Sequence, residues 1–165
     1  MLFSLLIIPL LVSLAKANPY LYDEQISPPS DVKPPTISVH PLENNTVYAS
    51  NSISLTLNVS IPETEAIAKY YLQLGVIWYQ TDWNDSDVIV YAYGGSGSSI
   101  TDFSGDLTLA EIPDGSHNVT FIARVDGGYP AGLTWYWFEL VSSSTVYFSV
   151  DTISPSVSIL SNGGF

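Results

Sequence analysis

The stretch ISLTLNVSI, residues 53–61, alternates apolar and polar residues without a slip. Ile53, Leu55, Leu57, Val59 and Ile61 share one side, and Ser54, Thr56, Asn58 and Ser60 share the other. A period of two is the signature of a half-buried strand and is incompatible with an amphipathic helix. The same alternation returns in HNVTFIARV (117–125), where Val119, Phe121, Ala123 and Val125 fall together. It returns again in TVYFSV (145–150), through Val146, Phe148 and Val150. Shorter runs of the same kind are TISVH (36–40), VIVYAY (88–93) and DLTLAEI (106–112). The run YYLQLGVIWYQ (70–80) is apolar on both sides, as an inner strand covered on each face must be. PETEAIAK (62–69) reads as a loop or a single helical turn before it. About seven short strands separated by turn signals predict an all-β immunoglobulin-like (fibronectin III-like) antiparallel β-sandwich over residues 36–152.

The segments before that region have a different character. LFSLLIIPLLVSL (2–14) is almost wholly apolar and is followed by Ala15-Lys16-Ala17. It is too short for a bilayer span of about 20 residues. An apolar run ending in A-x-A reads as a signal peptide over 1–17, with cleavage after Ala17. No Lys or Arg precedes the run, which leaves an uncleaved anchor or a different start as alternatives. The next stretch, 18–35, carries Pro19, Pro28, Pro29, Pro34 and Pro35 and reads as a Pro-rich linker acting as an extended spacer. No other run reaches spanning length, so the mature chain is expected to have no transmembrane segment. Localisation is therefore expected to be extracellular, at the cell surface.

Export gives meaning to four N-x-S/T patterns, at Asn44, Asn58, Asn84 and Asn118. These are acceptor patterns for N-linked sugar in an exported chain. Asn58 and Asn118 are out of phase with the core-facing residues of their strands, and Asn44 and Asn84 fall in predicted loops. All four are expected to face water.

Charge narrows the partners. Sixteen acids against four bases leave a net charge of −12. Neutralising phosphates takes clustered Lys and Arg, so nucleic acid is excluded as a partner and anionic membrane surfaces are disfavoured. With no cysteine, no disulfide framework, thiolate metal site or Cys nucleophile can form.

Two passages suggest a neighbour and a lineage. PTISVHP (35–41) matches PSVSILS (155–161) at a shift of 120, so 153–165 reads as the start of a second, truncated module or as a tail. The succession PPTISVHPLENNTVYASNSISLTLNVSI, LAEIPDGSHNVTFIARVDG and STVYFSVDTISPSVSIL resembles the Ig-like or fibronectin type III-like modules repeated in prokaryotic, especially archaeal, cell-surface proteins. The shared elements are Pro34-Pro35, the turn Asn44-Asn45-Thr46, the turn Asp114-Gly115-Ser116-His117, and Val150-Asp151-Thr152. The resemblance covers about 34–160. It implies a surface or S-layer-associated spacer or adhesion module. Two stretches depart from the pattern: 70–104 is expanded, and 123–145 is longer and more aromatic than the usual link.

Residues for chemistry are few. His117 opens a strand beside a turn, and His40 precedes Pro41 at a strand end; both positions suit structural hydrogen bonding. GGSGSS (94–99) misses the G-x-S-x-G pattern at its fifth position, Ser98, and reads as a flexible tip. Asp82, Asn84, Asp85, Ser86 and Asp87 crowd one polar turn, which could offer oxygens to calcium, although the EF-hand pattern is not met. A solvated acidic turn is the simpler reading, so no metal, cofactor or catalytic residue is expected. Trp135 and Trp137 share one face of LTWYWFEL, and with Trp83 they are candidates for sugar or partner contact. The expected function is a non-enzymatic structural or adhesion module whose partners are other cell-surface modules or envelope glycans. The alternatives are a carbohydrate-binding module using the 133–140 loop and an accessory domain of a secreted hydrolase.

Overall fold

A computed structural model of the chain describes residues 23–62, 69–94, 100–132 and 134–153. The apolar leader 1–17, most of PETEAIAK, the glycine-serine tip at 95–99 and the repeated PSVSILS lie outside the described residues.

The alternation sets the architecture. Among the described residues nine strands form, in order β1 (Asp23–Gln25), β2 (Thr36–His40), β3 (Val47–Tyr48), β4 (Ile53–Ser60), β5 (Tyr71–Thr81), β6 (Asn84–Ala92), β7 (Asp102–Leu109), β8 (Gly115–Ala131) and β9 (Thr134–Val150). They make two sheets. The larger has the order β1-β9-β8-β5-β6, with β3 also on β9, and the smaller has the order β2-β4-β7. The chain is all-β and two-layered, consistent with a β-sandwich. Among the described residues no helix is long and apolar enough to cross a membrane.

The core lies between the layers. From β4 come Ile53, Leu55, Leu57 and Val59, all buried. From β8 come Val119, Phe121, Ala123 and Val125, each at 0% exposure. Leu74 and Ile77 of β5, Leu109 of β7, and Phe138, Phe148 and Val150 of β9 join the same cluster. Each such Leu or Phe contributes roughly 1.5–3 kcal/mol by leaving water. The alternation in 53–61, 117–125 and 145–150 thus has the phase its sequence implies.

The larger sheet departs from the sequence reading in three ways. First, the described residues hold nine strands rather than about seven. The additional pair, β1 and β3, are short and run parallel to β9, at Asp23↔Trp135 to Gln25↔Trp137 and at Val47↔Ser149 to Tyr48↔Val150. They occupy the edge of β9 that β8 leaves open. An uncovered strand edge presents unpaired amides and carbonyls, so each added rung satisfies groups that otherwise need water. Second, the described part of the proline-rich stretch does not stand away from the sandwich. The amide of Ile26 donates to the Trp137 carbonyl at 2.9 Å, and Val32 is buried in the core cluster. Lys69 and Asp31 pair at 3.3 Å across the same region. Third, 123–145 is not a link. β8 and β9 pair without interruption from Gly115↔Val150 to Ala131↔Thr134, and the reversal falls at Gly132, whose φ is 67°. Gly127 and Gly128, which look like turn residues, lie mid-strand. A Cβ at Gly127 would come within 2.3 Å of the Phe138 ring, and one at Gly128 within 2.6 Å of Trp135 Nε1. These glycines make room for aromatic side chains on the two faces of the sheet.

Candidate functional site

The long β8–β9 hairpin gives the molecule two poles. At the hairpin tip, Trp135 and Trp137 stand on the outer face of β9, both half-buried. Their ring centroids are 5.3 Å apart and the rings are inclined at 50°, packed on each other and over Gly128. Trp135 Nε1 is buried with no hydrogen-bond partner among the described residues. Two rings at that inclination do not present one plane to a sugar. On the inner side of the same tip, Tyr129 and Tyr136 stack at 5.4 Å, and Tyr70 meets Phe138 edge-on at 6.0 Å.

Trp83 is at the other pole. Thr81 pairs with Val119 while Trp135 pairs with Pro130. Eleven residues of β8 separate those rungs, roughly 35 Å at the rise of a strand. The structure therefore does not bring Trp83 together with Trp135 and Trp137. Trp83 is half-buried and packs edge-on against His117 at 5.2 Å and Phe148 at 6.0 Å, closing that end of the core.

The polar turn is also shorter than its sequence suggests. Thr81 pairs with Asn84, so only Asp82 and Trp83 form the turn, and Asn84, Asp85, Ser86 and Asp87 belong to β6. Charge on this edge strand discourages pairing with another chain. Asp82, Asn84 and Asp87 direct side-chain oxygens at protein partners. Asp82 Oδ2 accepts from the Asn118 amide at 3.0 Å and from Asn118 Nδ2 at 3.1 Å, and Asp82 Oδ1 lies 3.0 Å from His117 Nδ1. Asn84 Oδ1 accepts from the Ser86 amide, and Asp87 Oδ1 accepts from Gln80 Nε2. Among the described residues no three His, Cys, Asp or Glu side chains group as a metal site. The Asp82–His117 contact has the outline of a carboxylate orienting a base, but His117 Nε2 donates to the Pro113 carbonyl at 2.8 Å. Both ring nitrogens are engaged, so the imidazole fastens the turn at 113–117 to the turn at 82–83. His40 is exposed at the end of β2.

The four acceptor asparagines differ in setting. Asn44 and Asn84 are exposed, while Asn58 and Asn118 are half-buried. Asn84 is on a strand rather than in a loop. Asn44 Oδ1 accepts from the Tyr147 amide at 2.9 Å. Asn58 lies on the middle strand of the smaller sheet, in register with Ser38 and Ser104. Both half-buried residues still occupy the outward phase of their strands, and the Asn118 side chain meets Asp82.

Sequence reasoning passed over two groups on the outer face of the larger sheet. Arg124 Nε lies 2.9 Å from Asp126 Oδ1, too far off axis for a hydrogen bond, and Arg124 Nη1 lies 3.4 Å from Glu139 Oε1. Both contacts are partly exposed and each stabilises by at most about 1 kcal/mol. The second is Tyr147, 59% exposed. The alternation that sends Val146 and Phe148 inward also sends Tyr147 outward, so its position was readable. Partial burial against Phe121 raises the pKa of Tyr79 above its usual 10.0. No known protein family, curated protein or solved structure matches the chain.

Proposed function

We propose that the chain is a non-enzymatic structural or adhesion module of the immunoglobulin-like, fibronectin III-like class, exported and displayed at the cell surface. The observation that carries this reading is where the chain joins the sheet and where it leaves. The first described strand begins at Asp23, beside Trp135, and the last ends at Val150, beside Gly115. Those rungs are fifteen residues apart along β9, about 50 Å. The start of the first described strand and the end of the last therefore lie at opposite poles, an arrangement that suits modules strung in line. The departure is also fixed in direction. Asp114 Oδ1 accepts from the Thr152 amide and hydroxyl, each at 2.9 Å. Two layers over one core are the architecture that such modules share, and the outward phase of the acceptor asparagines agrees with an exported surface.

The test is location. Intact cells producing the chain are treated with an external protease and then fractionated. The chain is expected in the envelope fraction and open to cleavage. A protected chain in the cytosolic fraction refutes the reading.

A further inference from the structure

We propose that Asn118 carries an N-linked glycan whose first sugar ring seats against Tyr147, in the hollow at the β8–β9 end opposite the hairpin tip. The proposal rests on the exported reading above. Its basis is a cross-strand pair: Asn118 and Tyr147 lie directly opposite each other. The Asn118 amide donates to Asp82 and its carbonyl accepts from the Asp82 amide. The Tyr147 amide donates to Asn44 Oδ1 and its carbonyl accepts from the Asn45 amide. Both backbones thus bond away from each other, which makes this a non-hydrogen-bonded pair, the kind in which facing side chains stand closest.

Around the pair is a hollow of about 410 Å³, lined by Asn45, Asp82, Ser116, Asn118, Tyr147 and Ser149 among others. That volume suits one or two sugar rings. Tyr147 offers an exposed aromatic face to the apolar side of a pyranose. Ser116, Ser149 and Asn45 supply hydroxyl and amide partners for its polar groups. Val47, 66% exposed, lies in register with Ser149 next to the hollow. The Asn118 side chain is already oriented, since one Nδ2 hydrogen is donated to Asp82 Oδ2 at 3.1 Å. Of the other acceptors, Asn44 lies beside Tyr147 but spends its side-chain carbonyl on the Tyr147 amide. Asn58 faces Ser38 and Ser104, and Asn84 turns its carbonyl to Ser86.

The chemistry is transfer from a lipid-phosphate-linked glycan by a glycosyltransferase. Asn118 Nδ2 loses one proton, taken up by the transferase, and bonds to the anomeric carbon of an N-acetylhexosamine. The bond from that carbon to phosphate oxygen breaks, and the lipid phosphate leaves with the electron pair. Asn118 keeps one Nδ2 hydrogen for Asp82.

The test uses the full chain with its own leader, made in a host that performs N-glycosylation and in one that does not. Glycopeptide mass spectrometry reads each acceptor, and thermal melts compare the two products for the native chain and for Tyr147→Thr, which keeps a strand-forming residue. Asn118 is expected to be occupied. The glycan is expected to raise Tm by roughly 2–4 °C in the native chain, the scale of one cross-strand contact in a chain this size, and by less than half of that in Tyr147→Thr. A secreted chain bare at Asn118 overturns the proposal and leaves the exported reading standing. An equal Tm gain in Tyr147→Thr overturns the seat on Tyr147. A chain retained inside the cell and bare at all four acceptors overturns both readings.

Discussion

Replacing Gly127 with alanine tests whether the aromatic tip is packed as the structure has it. The residue is buried, and its φ lies outside the left-handed region, so alanine meets no backbone strain there. In the unfolded chain alanine has fewer states to lose, which alone stabilises by about 0.4–1 kcal/mol. Against this, the new Cβ falls 2.3 Å from Phe138 Cε2 and 2.9 Å from Leu72 Cδ2. Ordinary carbon contacts are about 3.5–4.0 Å. The Phe138 ring must therefore retreat by more than 1 Å, yet it is 1% exposed and held edge-on by Tyr70. Overpacking of this kind costs about 1–3 kcal/mol. The steric term wins, and the net loss is about 1–2 kcal/mol, a fall in Tm of roughly 2–8 °C. Thermal melts followed by far-ultraviolet circular dichroism measure it. Gly94→Ala is the control, because nothing lies within 4 Å of its added Cβ; it is expected to stay within about 0.5 kcal/mol of the native chain. Phe138→Leu gives the second arm. It costs about 1–2 kcal/mol alone, but it vacates the space the alanine needs, so the double variant should lose at least about 0.5 kcal/mol less than the sum. A Gly127→Ala chain as stable as the native one, or strict additivity with Phe138→Leu, would refute the packing argument.

Three further outcomes are expected. Asp82→Ala removes the acceptor for the Asn118 amide and Nδ2 and the contact to His117; stability should fall by about 1–3 kcal/mol, with faster hydrogen exchange at the Asn118 amide, and unchanged exchange there would count against the assigned bonds. Tyr79 is harder to ionise folded than unfolded, so its contribution is complete below the ordinary pKa of 10.0 and is lost as pH rises above it. An absorbance titration should show a late-ionising phenol that disappears in Tyr79→Phe, and Tm should fall less steeply above that pH in the variant. Asp114→Ala frees the Thr152 amide and hydroxyl; Tm should move by less than about 4 °C, while exchange at the Thr152 amide rises sharply.

The core was legible because its strands obey one rule. A residue such as Leu57 or Phe121 is inward because its neighbours are polar, and no distant partner need be known to see it. What the sequence hid depends on contacts across the sheet. Gly127-Gly128-Tyr129-Pro130 has the look of a turn, yet its two glycines are gaps filled by Phe138 and by Trp135, which lie on another strand. β1 and β3 carry no alternation because they are three and two residues long and exist to pair with an edge. Asn84 to Asp87 read as loop because acids disfavour strands, although an edge strand tolerates them. The same limit applies to the tryptophans: Trp83, Trp135 and Trp137 are alike in composition, and only the register of β8 shows that a strand's length separates them.

The parallel rungs of β1 and β3 on β9 bear on how the molecule resists being pulled. Tension applied through the segments before Asp23 and after Val150 runs along β9, drawing the first strand backward and the last one forward. Rungs between parallel strands loaded this way slide against each other and must give way as a group, whereas a hairpin opened at its end unzips one rung at a time. A module of this kind yields last where its first and last strands lie side by side.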